Sequence, residues 1–369
     1  ERGMASLIQV DEQLGWSYIP SGSQWLTGPG EFRNFVTINS QGLPDIEHDY
    51  KKALGTKRVL MLGDSFVAAL QVPLEDSFSK VAESLLNGTS GELSNQVEFI
   101  NAGFAGFGTD QQYRWFMSEG LKYQPDIIVL VVYLGNDISD VDFELSSLGV
   151  STLPSKPFFK IENNEIVDIG YTNVQSNNQY QQGNSFSIVQ LRRFLQRNSY
   201  LFTIGSGLIK NFEQSSQFRN LLSIVGKTTS RSSYNHSYDI FTPAADAEWE
   251  RAWHTFELLI KAIKFESDQN QIELKIVMIP HAVQVYPDLW ETRKALYPAM
   301  DQLHWEMELP NDRLAKFAAE EQIDSLDLLP ILIETTSNDS NLYFRTDGHL
   351  TQTGNLIVGK AISDWILVD

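Results

Sequence analysis

The stretch VLMLGDSFVAAL, residues 59–70, joins two patterns of different periodicity. Four consecutive apolar residues, Val59–Leu62, are typical of a strand that is buried on both faces. The residues after Ser65 have the spacing of a helix that packs against such a strand. Gly63 and Asp64 stand between the two patterns, so the sequence predicts a strand–turn–helix unit that presents a hydroxyl group at its turn.

Apolar runs of strand length recur along the chain, and segments of helical periodicity separate them. The further runs are Val97–Ile100, Ile127–Val132, Leu274–Ile279 and Ile323–Leu328. Continuously apolar strands that alternate with helices predict a parallel sheet covered on both faces. We therefore predict an α/β fold, with a mainly parallel five-stranded sheet at the centre of a three-layer, doubly wound arrangement.

Two parts of the chain depart from this alternation. Residues 1–57 are rich in Gly, Pro and Ser and predict an arm of turns and short extended pieces packed on the core. Residues 146–245 are rich in Ser, Asn and Gln, with a predicted hairpin around Asn163–Asn164 and a short amphipathic helix after it. We interpret them as an insertion, which is either a cap over the sheet edge or a structural excursion. The core then comprises residues 58–145 and 246–369.

The composition excludes several classes of protein. With 42% hydrophobic and 20% charged residues, the 369-residue chain has the balance of a globular protein. Its net charge of −19 repels phosphate backbones, so nucleic acid is not an expected partner. The absence of Cys excludes disulfides, thiol catalysis and Cys-ligated zinc. No apolar run approaches the roughly 18 residues that span a bilayer.

Polar and glycine residues follow the predicted strands. Ser65 comes after the first strand, Gly106 after the second in NAGFAGFG, Asn136 after the third in LGND, and His281 after the fourth. His349 lies in TDGHLT, just before the predicted C-terminal helix. Because ligands bind at the carboxyl ends of parallel strands, we expect these groups to gather at one edge of the sheet.

This set of side chains fits nucleophilic acyl transfer. A serine hydroxyl is a weak nucleophile, and a histidine can take its proton and return it to the leaving group. A carboxylate beside the histidine fixes its tautomer, while N–H groups of a glycine loop and an asparagine amide bind the oxyanion. Each residue alone has an ordinary explanation in a turn or at a helix start, but their order along one sheet edge favours catalysis.

The four stretches resemble the sequence blocks of the SGNH (GDSL-type) esterase and lipase superfamily. GDSF is similar to the first block, NAGFAG to the second, LGND to the third and TDGHLT to the last. The resemblance spans roughly residues 58–145 and 250–369 and implies a flavodoxin-like SGNH fold. The arm and the insertion are similar to extra elements of a bacterial subgroup.

With Glu at its start and no initiator Met, the chain is predicted to be extracytoplasmic: secreted, periplasmic or anchored through a removed N-terminal segment, with a cytoplasmic location as the alternative.

The resemblance also implies a role for each site residue. Ser65 is expected to be the nucleophile, His349 the base and Asp347 its orienting partner. The expected oxyanion hole comprises Ser65, Gly106 and Asn136. Asp347 departs from the family pattern, because the family commonly places its Asp three residues before the His, and here the spacing is D-x-H. Either a tight loop lets Asp347 reach the imidazole, or another acceptor orients His349 and the site works as a dyad.

Other titratable residues have weaker support. Asp64 and His281 are candidates for lining the substrate cleft, with core or rim packing as the alternative for His281. The acidic run NDISDVDFE lacks the spacing of a calcium loop and is interpreted as a solvated loop. The chain has no P-loop, HExxH motif or dinucleotide fingerprint, so no metal or organic cofactor is expected.

The sequence therefore predicts a serine esterase that hydrolyses carboxylic esters, with short acyl groups and O-acetylated carbohydrate preferred over long-chain lipid. One alternative is an O-acetyltransferase in which a polysaccharide hydroxyl replaces water, since D-x-H spacing occurs in relatives that acetylate polysaccharides. The other alternative is a non-catalytic carbohydrate-binding protein on the same fold. An ester substrate is the expected partner, and the sequence indicates no oligomeric state.

Overall fold

The computed structural model describes most of the predicted core. The described residues are 6–89, 96–147, 156–163, 165–171, 236–243, 246–336 and 341–366. The amphipathic helix predicted over residues 187–208 lies outside them. No helix within these ranges is both long enough and apolar enough to cross a bilayer.

The described strands form one large sheet and three hairpins. In chain order they are β1 Ile8–Asp11, β2 Gly15–Tyr18, β3 Ser23–Gly28, β4 Phe32–Thr37, β5 Thr56–Gly63, β6 Gln96–Gly103, β7 Ile127–Tyr133, β8 Pro157–Glu162, β9 Glu165–Tyr171, β10 Glu273–Ile279 and β11 Asp324–Asp327. The central sheet has the order β11-β10-β7-β5-β6, and all its neighbouring strands are parallel. This order is that of flavodoxin-like doubly wound sheets, and it confirms the predicted fold class.

Helices follow the strands as the alternation predicted. They are α1 Ser65–Ala68, α2 Phe78–Thr89, α3 Thr109–Ser118, α4 Asp137–Asp140, α5 Phe143–Ser147, α6 Ala247–Gln269, α7 Ala282–Val285, α8 Pro287–Leu296, α9 Leu309–Glu320, α10 Leu329–Thr336 and α11 Gln352–Trp365. Short 3₁₀ turns cover Leu74–Asp76, Gly120–Tyr123, His236–Phe241 and Pro298–Gln302.

The sheet is covered on both faces. On one face, Val59 of β5 belongs to a buried cluster that includes Phe78 of α2. Successive strand residues point to opposite faces, so the neighbouring Leu60 belongs to the other layer. There the space at Gly120 is bounded by Leu60 and by Phe116 of α3. Both strand residues are fully buried, which explains why the strands are apolar at every position rather than at alternate ones.

The chain divides into two compact units. The first comprises Glu1–Thr172, His236–Glu291 and His304–Asp369, and holds the sheet, the N-terminal arm and the β8–β9 hairpin. In the second unit the structure describes residues 292–303, which are the end of α8 and a 3₁₀ turn. The β8–β9 hairpin turns at Asn163, whose φ is +52°, at the position predicted for it. The role of residues 146–245 as a cap stays a prediction.

The N-terminal arm is more regular than its sequence indicated. It consists of two antiparallel hairpins, β1–β2 and β3–β4. The first is fastened to the core by the Trp16 side chain, whose Nε1 donates to the Ala105 carbonyl oxygen at 3.0 Å. The second turns through Glu31, whose N–H donates to the Gly28 carbonyl oxygen at 3.0 Å.

Candidate active site

Ser65 lies where β5 ends and α1 begins. The carboxylate of Asp64 accepts a hydrogen bond from the Phe66 N–H at 2.8 Å and so caps the short helix. Asp64 is only 1% exposed. Its carboxylate is engaged in the turn, and its contact with a substrate stays a prediction.

The turn that carries Ser65 is held against β6 by close packing. A Cβ atom at Gly103 would lie 2.1 Å from the backbone nitrogen of Ala68, so only glycine allows α1 to approach the strand this closely. The buried side chain of Asn101 donates to the Val67 carbonyl oxygen at 2.8 Å and accepts from the Gly103 N–H at 3.0 Å. These contacts hold α1, which begins at Ser65, against β6.

The structure brings the predicted base and its orienting acid to Ser65. His349 Nε2 lies 2.8 Å from Ser65 Oγ, and His349 Nδ1 lies 2.6 Å from Asp347 Oδ1. The D-x-H spacing works because the loop is tight: Gly348 has a φ of +90°, and its N–H donates to the Phe344 carbonyl oxygen at 3.0 Å. The Asp347 carboxylate therefore contacts the imidazole directly, in spite of the short D-x-H spacing.

Gly106 occupies a tight turn after β6. The Phe107 N–H donates to the Phe104 carbonyl oxygen at 3.1 Å, and Gly106 has a φ of +74°, which is the conformation that the third residue of a type II turn needs. The Phe104 N–H donates to the Gly63 carbonyl oxygen at 3.2 Å. The turn with Gly106 is thereby tied to the strand end that carries the nucleophile.

Asn136 follows β7, and its side-chain amide makes one of the hydrogen bonds that it could form. Its Nδ2 donates to Asp140 Oδ2 at 2.7 Å, while its Oδ1 is buried and has no hydrogen-bond partner among the described residues. The same amide group favours the ionised form of Asp64, which places Asn136 beside the turn that carries Ser65. An amide nitrogen has two N–H groups, so Asp140 can fix the orientation of the group that is expected to bind an oxyanion.

Buried carboxyl groups surround Asn136. Burial raises the pKa of Asp64, although the Phe66 N–H, the His349 charge and the Asn136 amide favour its ionised form. Burial, with the nearby Asp64, raises the pKa of Asp137 well above its usual value. Burial also raises the pKa of Asp140 to about 6. Burial thus favours the protonated forms of these three carboxyl groups, relative to exposed ones, close to the place where an oxyanion would form.

A buried ion pair borders this acidic group. Lys156 Nζ lies 2.6 and 2.7 Å from the two carboxylate oxygens of Asp110. The Lys156 side chain is 8% exposed and that of Asp110 is fully buried. The positive charge of Lys156 also opposes the rise in the pKa of Asp140. Within the described ranges, no three His, Asp or Glu residues are grouped so that they could hold a metal ion.

Aromatic rings join the imidazole of His349 to His281. The Phe66 ring lies 4.9 Å from that of His349 and 3.9 Å from that of Tyr133, and Tyr133 stacks at 6.0 Å on His281. His281 Nδ1 accepts from the Val283 N–H at 3.1 Å and caps α7. His281 is therefore built into the wall near the site, and its contact with a substrate stays a prediction.

Sequence reasoning missed two residues that contact the base or its loop. Gln71 Nε2 lies 3.0 Å from His349 Nδ1. The Glu31 carboxylate accepts from the N–H groups of Thr346 and Asp347 at 2.7 and 3.0 Å. Gln71 stands six residues after Ser65, but no pattern in the sequence indicates its contact with His349. No local pattern indicates Glu31, since it is 315 residues from Thr346.

Comparisons with known proteins find similar structures but no relatives by sequence. No protein-family model matches the chain, and no curated protein is similar enough to be matched. Among solved structures, the acetyl xylan esterase AlAXEase has 13% identity and a TM-score of 0.42, with 84% of this chain and 100% of the other covered. A member of the lipolytic G-D-S-L family from Veillonella parvula has 10% identity and a TM-score of 0.38, with 85% and 100% covered. A lipase/acylhydrolase from Enterococcus faecalis has 12% identity and a TM-score of 0.36, with 84% and 95% covered.

Proposed function

We propose that this protein hydrolyses carboxylic esters through Ser65. The observation that carries the proposal is the hydrogen-bonded series from Ser65 Oγ to His349 Nε2 at 2.8 Å and from His349 Nδ1 to Asp347 Oδ1 at 2.6 Å. A nucleophile, a base and an orienting acid within hydrogen-bond reach are the arrangement that acyl transfer requires.

In the proposed reaction, Ser65 Oγ attacks the acyl carbon while His349 Nε2 accepts the hydroxyl proton. The carbonyl oxygen becomes an oxyanion, which the N–H groups of Ser65 and Gly106 and the Asn136 amide stabilise. Collapse of this intermediate breaks the bond to the alcohol, and His349 returns the proton to the leaving oxygen. Water then attacks the acyl-enzyme with His349 as base, which releases the carboxylic acid and restores Ser65.

The proposed alcohol and acyl parts of the substrate are argued from the composition of the chain rather than from the geometry of the site. The chain is strongly acidic, with a net charge of −19, and 11% of its residues are aromatic. Aromatic surfaces suit sugar rings, and the acidic charge disfavours anionic lipid surfaces. We therefore propose short acyl esters, with O-acetylated carbohydrate as the substrate class.

The test compares hydrolysis of p-nitrophenyl acetate, butyrate and octanoate by wild type, Ser65→Ala and Ser363→Ala. Ser363 is a matched control, since it lies on α11 and its hydroxyl bonds the Lys360 carbonyl oxygen. We expect release of p-nitrophenol that favours acetate in wild type and the control, and only background release from Ser65→Ala. Equal rates in wild type and Ser65→Ala would contradict the proposal, while a preference for octanoate would contradict the proposed acyl length.

The same series of residues could pass the acyl group to a sugar hydroxyl, because acyl transfer uses the same first half-reaction. Adding xylo-oligosaccharide to the acetate assay distinguishes the two outcomes. Hydrolysis predicts acetate as the product at all acceptor concentrations. Acetylated oligosaccharide, detected by mass spectrometry, would identify the transferase instead.

A further inference from the structure

A hairpin of the N-terminal arm contacts the loop that carries the base. Glu31 lies in the turn between β3 and β4, and its two carboxylate oxygens accept from consecutive backbone N–H groups, those of Thr346 at 2.7 Å and Asp347 at 3.0 Å. The same loop is reached by Phe32, whose ring lies 5.2 Å from that of Phe344. Glu31 thus holds the backbone of Asp347, the residue whose side chain contacts His349.

The same hairpin also contacts the segment that follows the nucleophile. Asn34 Nδ2 donates to the carbonyl oxygens of Leu70 at 2.9 Å and Val72 at 2.5 Å. These two residues flank Gln71, whose amide lies 3.0 Å from His349 Nδ1. The two ends of an amide are nearly isosteric, and its oxygen can accept from the same Nδ1–H group that donates to the acid. Two side chains therefore lie beside His349 Nδ1, and the hairpin contacts the backbone of both: Glu31 contacts that of Asp347, and Asn34 contacts the residues on either side of Gln71.

The hairpin is itself anchored, so it can transmit this constraint. Leu26 of β3 and Val36 of β4 are 8% and 5% exposed, and both belong to the buried core. The base loop has backbone hydrogen bonds of its own, from the Phe344 N–H to the His349 carbonyl oxygen at 2.8 Å and from the Gly348 N–H to the Phe344 carbonyl oxygen at 3.0 Å. The side chains of His349 and Asp347 nevertheless remain 22% and 25% exposed. The two hydrogen bonds to the Glu31 carboxylate therefore add an anchor from outside the loop, at Thr346 and Asp347.

We propose that the β3–β4 hairpin, Ser23–Thr37, sets the position of His349, with Glu31 as the principal positioning residue. The inference rests on the proposed function and adds to it a part of the chain outside the four sequence blocks. Glu31 fixes the backbone of Thr346 and Asp347, and through Asp347 it fixes the distance from His349 Nε2 to Ser65 Oγ. A small displacement of a catalytic group lowers the rate strongly while leaving substrate contacts intact. Loss of the Glu31 contacts should therefore lower kcat and leave KM nearly unchanged.

The experiment measures how fast a fluorophosphonate probe labels Ser65 in wild type, Glu31→Gln and Glu47→Gln, with the site of labelling read by mass spectrometry. The probe needs an activated serine but no particular ester substrate. Glu47 is a matched control in the same arm: its carboxylate accepts from the Ser40 N–H at 2.8 Å and the Ser40 hydroxyl at 2.6 Å. We expect Glu31→Gln to label about tenfold more slowly than wild type and Glu47→Gln to label at the wild-type rate.

Steady-state kinetics on p-nitrophenyl acetate separate positioning from general damage. In Glu31→Gln we expect kcat to fall about tenfold with KM within about twofold of wild type. A loss confined to kcat is the readout that separates positioning from a general structural defect, which would also change KM.

A second variant covers the case in which Glu31→Gln unfolds. Glu31→Asp keeps a carboxylate that can accept from the two N–H groups and shortens the side chain by one methylene, so it should give a kcat between those of wild type and Glu31→Gln. Wild-type labelling and kcat in a folded Glu31→Gln protein would overturn the positioning role. Failure of wild type itself to be labelled at Ser65 would overturn the proposed function, and this inference with it.

Discussion

His349 Nε2 lies 2.8 Å from Ser65 Oγ, although 284 positions separate the two residues in the chain. The contact forms because β5 ends beside the loop that precedes the last helix, so the nucleophile and the base meet at the carboxyl edge of one sheet. The Phe66 ring, 4.9 Å from that of His349, supports the imidazole in this position. The pair is therefore assembled in the free protein, which reduces the entropy that catalysis must overcome.

Replacement of Asn136 tests the expected oxyanion donor. We expect Asn136→Ala to lower kcat by roughly 10²–10³-fold, because one preorganised donor to the oxyanion is lost. KM for p-nitrophenyl acetate should change little. Asn270→Ala is the control, since Asn270 ends α6 and its amide bonds the Glu266 carbonyl oxygen. A wild-type kcat in a folded Asn136→Ala protein would remove Asn136 from the mechanism.

Replacement of Asp347 tests whether the acid of the D-x-H loop acts on the imidazole. Asp347→Asn keeps the shape of the side chain but removes the charge that stabilises the imidazolium, and we expect kcat to fall by roughly 10³-fold or more. Asp364→Asn on α11 should retain full activity. Stopped-flow release of p-nitrophenol measures both, and a loss below about tenfold would mean that the site works as a Ser65–His349 dyad.

The buried pair of Lys156 and Asp110 is expected to matter for stability. Lys156→Met leaves the fully buried Asp110 carboxylate without its partner, so the free energy of unfolding should fall by about 3–5 kcal/mol. Lys156→Met combined with Asp110→Leu should recover much of that loss. Lys160→Met is the control, because Lys160 forms a half-exposed pair with Glu162 and should cost under about 1 kcal/mol. Urea unfolding measures all three, and equal losses in the two single variants would contradict the assignment.

The buried His48 is expected to make stability depend on pH. Its Nδ1 lies 2.6 Å from Glu98 Oε1 and its Nε2 lies 3.0 Å from Asp45 Oδ2, so both ring nitrogens face carboxylates. Burial lowers the pKa of His48, but the hydrogen bonds to Asp45 and Glu98 outweigh burial and raise it above 6.5. The charged imidazole therefore stabilises the fold fully below pH 6.5, and this contribution is lost as the pH rises through the folded-state pKa.

His48→Gln should accordingly lower the free energy of unfolding by about 3 kcal/mol at pH 6 and by less at pH 9. Subtraction of the variant from wild type cancels the titration of all unaffected groups. His304→Gln is the control, since the His304 side chain is 76% exposed and pairs with Glu306 at the surface. Urea unfolding at the two pH values gives the difference, and a larger effect at pH 9 than at pH 6 would reverse the expected sign.

Strand positions could be predicted closely where strands are apolar, and less well where they are charged. The apolar run Ile127–Val132 is the observed β7 without its last residue. β5 instead begins at Thr56, three residues before the apolar run, and includes Arg58. Arg58 is only 2% exposed because its guanidinium bonds Glu98 on the neighbouring strand. A charge buried by its partner looks like a surface residue in sequence, so the start of the strand was missed.

The sequence alone determined the fold class and the four segments that meet at the site. Hydrophobic periodicity and turn chemistry are local properties, and a parallel sheet brings the ends of its strands to one edge wherever they stand in the chain. Only the tertiary structure decided what surrounds the base. Asp347 reaches His349 because a tight loop brings them together, and Glu31 meets that loop because an N-terminal hairpin packs beside it. Such contacts depend on how distant elements pack, and no local pattern of residues encodes that packing.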